Sequence, residues 1–296
     1  MEKQGSRNAA GKNNRSAVNR AGFRPLSQLN LMDDFLFHEA VTHGAEGEEF
    51  CRILLRTVLG HEIGRVRIVP QRSYQGIDTR QRGIRLDVYI EENIETDDGV
   101  ETAALYDVEP TLYDLKDTLP KRMRFYQAMM DARTLSAGES YRKLPRTIII
   151  FILPKDYFGK GRMMYTFRTV CEEDSSVVCD DESRRIVLYT KGNPGSAGQK
   201  LAEMLQYFMK TTPDNAANSE LRKIDAMVDE IKQNAEVRRA YMQAWDKELY
   251  LKEEGEQAMC DLIARLASEG REQEIVKAAA DRDYREQLMR QYGLRR

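Results

Sequence analysis

One short stretch constrains this chain more than any other. Residues 147–153 read Thr-Ile-Ile-Ile-Phe-Ile-Leu, and Pro154 closes the run. Seven residues are far short of the ~20 that a membrane-spanning helix needs. An unbroken apolar run of this length, without polar alternation, reads as a β-strand covered on both faces. A strand of that kind needs apolar cover above and below its sheet, and the rest of the chain must supply it.

The flanking periodicities indicate where that cover comes from. Asp33 or Asp34 is placed to cap a helix carrying Phe35, Phe37 and Ala40. Phe50, Ile53, Leu54, Thr57 and Val58 form a second helical stripe, which Gly60 ends. Val66 to Val69 reads as a short strand stopped by Pro70. Ile84 to Ile90 alternates, with Ile84, Leu86, Val88 and Ile90 on one face and Arg85, Asp87 and Tyr89 on the other. A polar stretch with an Asp98-Gly99 turn signal joins it to a strand over 103–109, giving a hairpin with an acidic tip. Pro120 sits near the start of a helix bearing Met123, Tyr126 and Met130. Strands are expected over 164–170 and 185–190, and a helix with Leu201, Met204, Leu205 and Phe208 inward. Beyond Pro213 the pattern is helical and highly charged, with stripes at Ile224, Met227, Val228, Ile231 and at Met259, Leu262, Ile263, Leu266.

Three regions follow. Residues 1–25 form a basic tail, 26–212 a single large domain, and 213–296 a charged helical extension. The 296-residue length is ample for such a core. Residues 1–26 hold six basic groups against one acid and few apolar side chains, so the tail is expected to be disordered. It reads either as a phosphate-attracting arm or as a solvated leader. The remainder is acidic, for the whole chain carries a net charge of only −2. Four dispersed cysteines with no CxxC pair argue against structural zinc and a disulfide framework, and for a reducing, cytoplasmic compartment. No apolar leader segment and no membrane span is expected.

Most familiar chemistries find no support. His38, His43 and His61 all precede the sheet, at spacings that do not stack two of them on one helix face; they read as surface or capping residues. No GxxxxGK[ST] or GxGxxG loop is present. What remains is carboxylates on adjacent strands. Asp87 lies on the polar face of its strand, and Asp107 and Glu109 share a face by parity. A hairpin that brings Asp87 beside Glu109 would suit Mg²⁺, a hard cation that takes oxygen ligands. One acid on each exposed strand face is also ordinary, and the residues alone leave both readings open.

Several segments together resemble a known family: DDFLFHEAV (33–41), GIRLDVYIE (83–91), LYDVEPT (105–111), LPKRMRFYQAMMD (119–131) and GESYRKLPRTIIIFILPKDYFGKG (138–161). In this order and spacing they are similar to the PD-(D/E)XK nuclease family transposases, related to the bacterial recombination-promoting nucleases. The resemblance runs from about Leu29 to Phe208, with further similarity in the C-terminal helices. It implies an α/β fold with a restriction-endonuclease-like αβββαβ core around a mixed central sheet, followed by the helical extension. It also implies that Asp87 and Glu109 hold Mg²⁺ or Mn²⁺, and that an acid on the first helix, Glu39, supplements them.

The chain departs from that family at the third motif position, where the superfamily has Lys and this branch Gln. Here the residue is Thr111, preceded by Pro110. A hydroxyl can hydrogen-bond water or phosphate but carries no charge. Pro110 removes a ladder N–H, so the strand must be at an edge or end there. Lys121 is the best substitute for the missing lysine, with Lys116 second. Arg122, Arg124 and Tyr126 read in two ways: as a DNA-backbone contact, with the resemblance favouring Arg122 and Tyr126, or as a helix that buries Tyr126 and sends its arginines to solvent.

The reading that follows is a Mg²⁺-dependent DNA endonuclease, with catalytic residues Asp87, Glu109, Thr111 and Lys121. The alternative is a catalytically degenerate nuclease fold that binds nucleic acid or protein. A third role, self-assembly through the C-terminal helices, would make the chain a homo-oligomer. The acidic body disfavours tight nonspecific DNA binding, which needs a basic face.

Overall fold

A computed structural model describes residues 23–70, 72–74, 84–96, 99–115 and 117–294 of the chain. Its centre is a six-stranded mixed sheet. The elements run α1 (Asp34–Val41), α2 (Gly44–Leu59), β1 (Arg65–Pro70), β2 (Ser73–Tyr74), β3 (Ile84–Arg85), β4 (Val88–Thr96), β5 (Gly99–Pro110), α3 (Leu119–Asp131), β6 (Arg146–Leu153), β7 (Met164–Phe167), β8 (Ser183–Tyr189), α4 (Gly198–Met209), α5 (Ser219–Gln233), α6 (Ala235–Ser268), α7 (Glu272–Ala280) and α8 (Arg282–Gln291). The sheet order is β1-β4-β5-β6-β8-β7, and β2 pairs with β3 separately. β1, β4 and β5 form an antiparallel meander. β5, β6 and β8 are parallel, and β7 closes the far edge antiparallel to β8. The chain therefore has the expected α/β class, with a mixed sheet and C-terminal helices.

The apolar run at 147–153 lies inside this sheet, between β5 and β8. Ile148, Ile150 and Ile152 face a core built with α1, α2, α4 and α5. Ile149, Phe151 and Leu153 face a second core closed by α3. Both sets are buried, which explains why no polar alternation interrupts the run.

The close packing of α1 on α2 depends on Gly47. A Cβ there would lie 2.5 Å from the Val41 carbonyl oxygen and 2.8 Å from that of Ala40. Gly60, with φ of 75°, ends α2 in the left-handed conformation as expected. At the start of α1, neither expected cap forms. Asp33 instead accepts from the Asn30 amide at 2.8 Å and pairs with Arg24.

One expectation needs correction. The strand over 84–90 is broken. β3 ends at Arg85 and β4 begins at Val88, and Leu86 packs with Tyr89 in the α3-side core instead of with Val88 and Ile90. Asp87 sits at this bend. The strand before the bend pairs with β2, as the Leu86 amide bonding to the Arg72 carbonyl at 2.9 Å also marks, while the strand after it pairs with β1 and β5. The helices expected beyond 213 begin packed on the body. Leu221, Ile224, Met227, Val228 and Ile231 of α5 belong to the main core, together with Tyr241 of α6. A separate small core forms further on, from Leu262, Leu266, Ala278, Leu288 and Met289.

At the other end, Phe23 packs against Tyr241 and Trp245, and the Tyr241 hydroxyl donates to the Arg24 carbonyl at 2.8 Å. Residues 1–22 of the basic tail, Lys116 and the tip residue Asp98 lie outside the described residues. Among those described, no helix is long and apolar enough to cross a membrane.

Candidate active site

Pro110 shapes the site. The Thr111 amide bonds to the Ile152 carbonyl at 2.9 Å, so the odd-numbered amides at this end of β5 point toward β6. The Pro110 nitrogen therefore faces β4, where pairing stops at the Val88–Val108 pair. The proline is at a strand end in the middle of the sheet, where no ladder bond is lost. With β4 released at Val88, the Asp87 amide turns to the Glu109 side chain and donates to its Oε1 at 2.9 Å.

Four carboxylates gather here. Asp107 and Glu109 are fully buried on the α3 side of β5. Asp87 is half-buried at the bend. Asp34, the first residue of α1, lines a cleft of about 30 Å³ with His38, Asp87 and Pro110, enough for a water or a monatomic ion. The helix acid brought to Asp87 is thus Asp34; Glu39 does not line this cleft.

The cation of the site comes from α3. Arg122 donates from Nη2 to Glu109 Oε2 at 3.0 Å, from Nε to the Tyr126 hydroxyl at 2.9 Å, and from Nη1 to the Tyr113 hydroxyl. Its guanidinium carbon lies 5.0 Å from the Tyr126 ring centre and 5.5 Å from that of Phe151. Tyr126 is buried in the α3-side core, so its ring packs while its hydroxyl holds Arg122. Lys121 is exposed, and among the described residues it makes no ion pair with the acids. Neighbouring helical positions differ by about 100° in direction, whereas Arg122 and Tyr126, four apart, share a face. Thr111 is buried, with its hydroxyl donating at 3.4 Å to the backbone carbonyl of Glu109. Arg124 is solvent-exposed.

Burial, followed by the nearby Asp87 carboxylate, pushes Glu109 up to about 8, although the Asp87 amide and Arg122 oppose the shift. Asp107 is raised well above the carboxylate range by burial, then by Glu109 and Asp87. Asp34 is also raised, by burial and then by Asp33 and Glu248. Burial works against the charge on Arg122, but its hydrogen bond to Tyr113 and the pull of Tyr126 and Glu109 outweigh it and keep the guanidinium protonated.

Among the described residues neither carboxylate oxygen of Asp107 meets an N–H or hydroxyl donor, and its nearest polar neighbour is the Glu109 carboxyl group. A fully buried acid in that condition is costly unless it is protonated or faces a cation. The donor set, all carboxylate oxygen, matches hard divalent cations. These acids therefore suit Mg²⁺ or Mn²⁺ chemically. Both Glu109 oxygens are already engaged, by the Asp87 amide and Arg122, so an ion would draw first on Asp107.

A tighter cluster exists elsewhere. Among the described residues, ligand atoms of His43, Glu46 and Glu230 lie within 4.8 Å of one another. They surround the start of α2 and are largely exposed. The positive end of the helix opposes a cation there.

The chain matches no protein-family model, no curated protein and no solved structure.

Proposed function

We propose that this protein is a Mg²⁺- or Mn²⁺-dependent DNA endonuclease of the PD-(D/E)XK type. The observation that carries the reading is the fully buried Asp107, which among the described residues meets no hydrogen-bond donor, on one face with Glu109, which pairs with Arg122, and near Asp87. Element order supports it: helix, antiparallel meander β1-β4-β5, crossover helix α3 and parallel β6 follow the αβββαβ order expected of a restriction-endonuclease-like core. Membership in the transposase branch rests on the motif resemblance.

In this reading Asp87 and Asp107, with Glu109, would hold the metal, and Asp34 lines a water-sized cleft together with Asp87. When bound, the ion lowers the pKa of a coordinated water and stabilises charge on the phosphodiester. Arg122 does the work of the missing motif lysine. Its planar fork is fixed by Glu109, Tyr126 and Tyr113, and it meets a phosphate oxygen at the mouth of the site. Tyr126 acts on DNA through Arg122.

The test is plasmid nicking by purified protein in Mg²⁺ or Mn²⁺. Wild type is expected to cleave, and Asp87→Ala and Glu109→Ala to lose cleavage while remaining folded. A second reading, the catalytically degenerate scaffold, draws on Thr111 and on the engagement of both Glu109 oxygens. Absence of cleavage in both metals, with folded protein, selects it.

A further inference from the structure

A second concavity adjoins the acids. It occupies about 210 Å³ at the carboxyl ends of the neighbouring parallel strands β5 and β6, and is lined by Leu112, Tyr113, Leu115, Leu153, Lys155 and Tyr157. Crevices at the carboxyl ends of strands are where α/β sheets receive ligands. This one is smaller than the ~300–1,000 Å³ of sites for drug-sized molecules, a size that suits one planar ring system. Two tyrosines and three leucines line it, and its polar groups are Asp156 and the exposed Lys155–Asp114 pair, at 4.0 Å. Tyr113 belongs to both places. Its hydroxyl accepts from Arg122, while its ring lines the pocket and remains 56% exposed, next to a Leu112 that is 46% exposed.

Resting on the nuclease reading, we infer that this pocket is a subsite for an unpaired nucleobase next to the scissile phosphate. The protein would then act on single-stranded or locally opened DNA. An unpaired base offers a face to the tyrosines of the lining and an edge for Lys155 and Asp114. Its own phosphate lies within reach of Arg122, because Tyr113 joins the guanidinium to the pocket. A base stacked in a duplex cannot enter a pocket of this shape without being extruded. Stacking on aromatic side chains tolerates any base, so the pocket selects strandedness over sequence.

The experiment measures binding of the full chain to a fluorescent single-stranded oligonucleotide by anisotropy, with Ca²⁺ present. The same sequence as a duplex, and the single strand carrying abasic sites, serve as comparisons. The intact single strand should bind most tightly. Tyr113→Ala should weaken it about tenfold or more and weaken the abasic strand less, because loss of the hydroxyl that holds Arg122 affects both strands while loss of the ring affects only the intact one. Tyr113→Phe keeps the ring and should keep the preference. Tyr157→Ala, also in the lining, provides an independent variant, and the melting temperature of each reports folding. Equal affinity for intact and abasic strands, no binding to either, or no effect of Tyr113→Ala in folded protein overturns the subsite. Plasmid cleavage without base-dependent binding removes the pocket and keeps the nuclease. Base-dependent binding without cleavage supports the pocket and removes the nuclease.

Discussion

At the scale of single residues, Asp107 has the largest measurable consequences. The folded chain holds Asp107 and Glu109 protonated at a pH where the unfolded chain has released both protons. Wherever the native state binds more protons, stability falls as pH rises. Metal-free protein should therefore lose stability between the ordinary carboxylate range and about pH 8, by several degrees at about 2–4 °C per kcal/mol. Asp107→Asn should flatten that slope, and divalent metal should offset it in the wild type. Melting curves in chelator across pH check this; a flat wild-type profile would show that the acids are not desolvated. Arg122 provides the second test at this scale. Arg122→Lys loses the planar fork that reaches three acceptors. Loss of one preorganised donor commonly costs about 10²–10³ in kcat, and cleavage assays should find that range. Lys121→Ala should leave cleavage unchanged, which reverses the role expected of Lys121 from the motif. Thr111→Gln should not raise activity either, because overfilling a buried site costs about 1–3 kcal/mol.

Among the elements, α1 and the end of β5 decide the geometry. α1 delivers Asp34 to the cleft, and Gly47 sets how closely it approaches α2. Backbone carbonyls cannot yield as a flexible side chain does. Gly47→Ala should destabilise the protein by about 1–3 kcal/mol in urea denaturation, despite the better helix propensity of alanine. An increase in stability would show that α1 moves freely. Period-two alternation correctly assigns Asp107 and Glu109 to one face, and the helical pattern correctly places the helix around Arg122 and Tyr126. Alternation fails at Leu86–Asp87, where β4 parts from β5 opposite Pro110 and the chain turns to pair elsewhere. That bend depends on where pairing with another strand stops, and local alternation carries no trace of it.

For the molecule as a whole, the boundary between body and extension is set by burial. α5 supplies five apolar side chains to the main core, and Tyr241 of α6 clamps Phe23 and Phe35. At about 1.5–3 kcal/mol for each fully buried side chain, α5 alone contributes as much as the whole net stability of a typical domain, about 5–15 kcal/mol. A chain ending after residue 212 should be insoluble or unfolded. One ending after residue 250 keeps Tyr241 and Trp245, loses only the small distal core, and should melt cooperatively near the full-length temperature. Circular dichroism on both truncations checks this; a folded 1–212 fragment would refute the assignment of α5 to the core.

Local periodicity encodes one set of features, and these are legible before any folding. The apolar run at 147–153 announces an interior strand, Gly60 ends its helix, and the Ile224–Ile231 stripe marks an amphipathic face. The same local patterns put Asp107 and Glu109 side by side. Which other charges meet them depends on packing between elements distant in the chain. Asp34, Tyr113 and Arg122 arrive from a helix start, a loop and a second helix. Lys121 and Arg122 are adjacent in sequence and look equivalent there, yet only the helical phase, set by burying Met123 and Tyr126 against β6, turns one of them toward Glu109. Desolvation follows the same logic. An Asp in a strand pattern has no evident environment until two sheet neighbours and a helix close over it, and that burial gives Asp107 its unusual acidity.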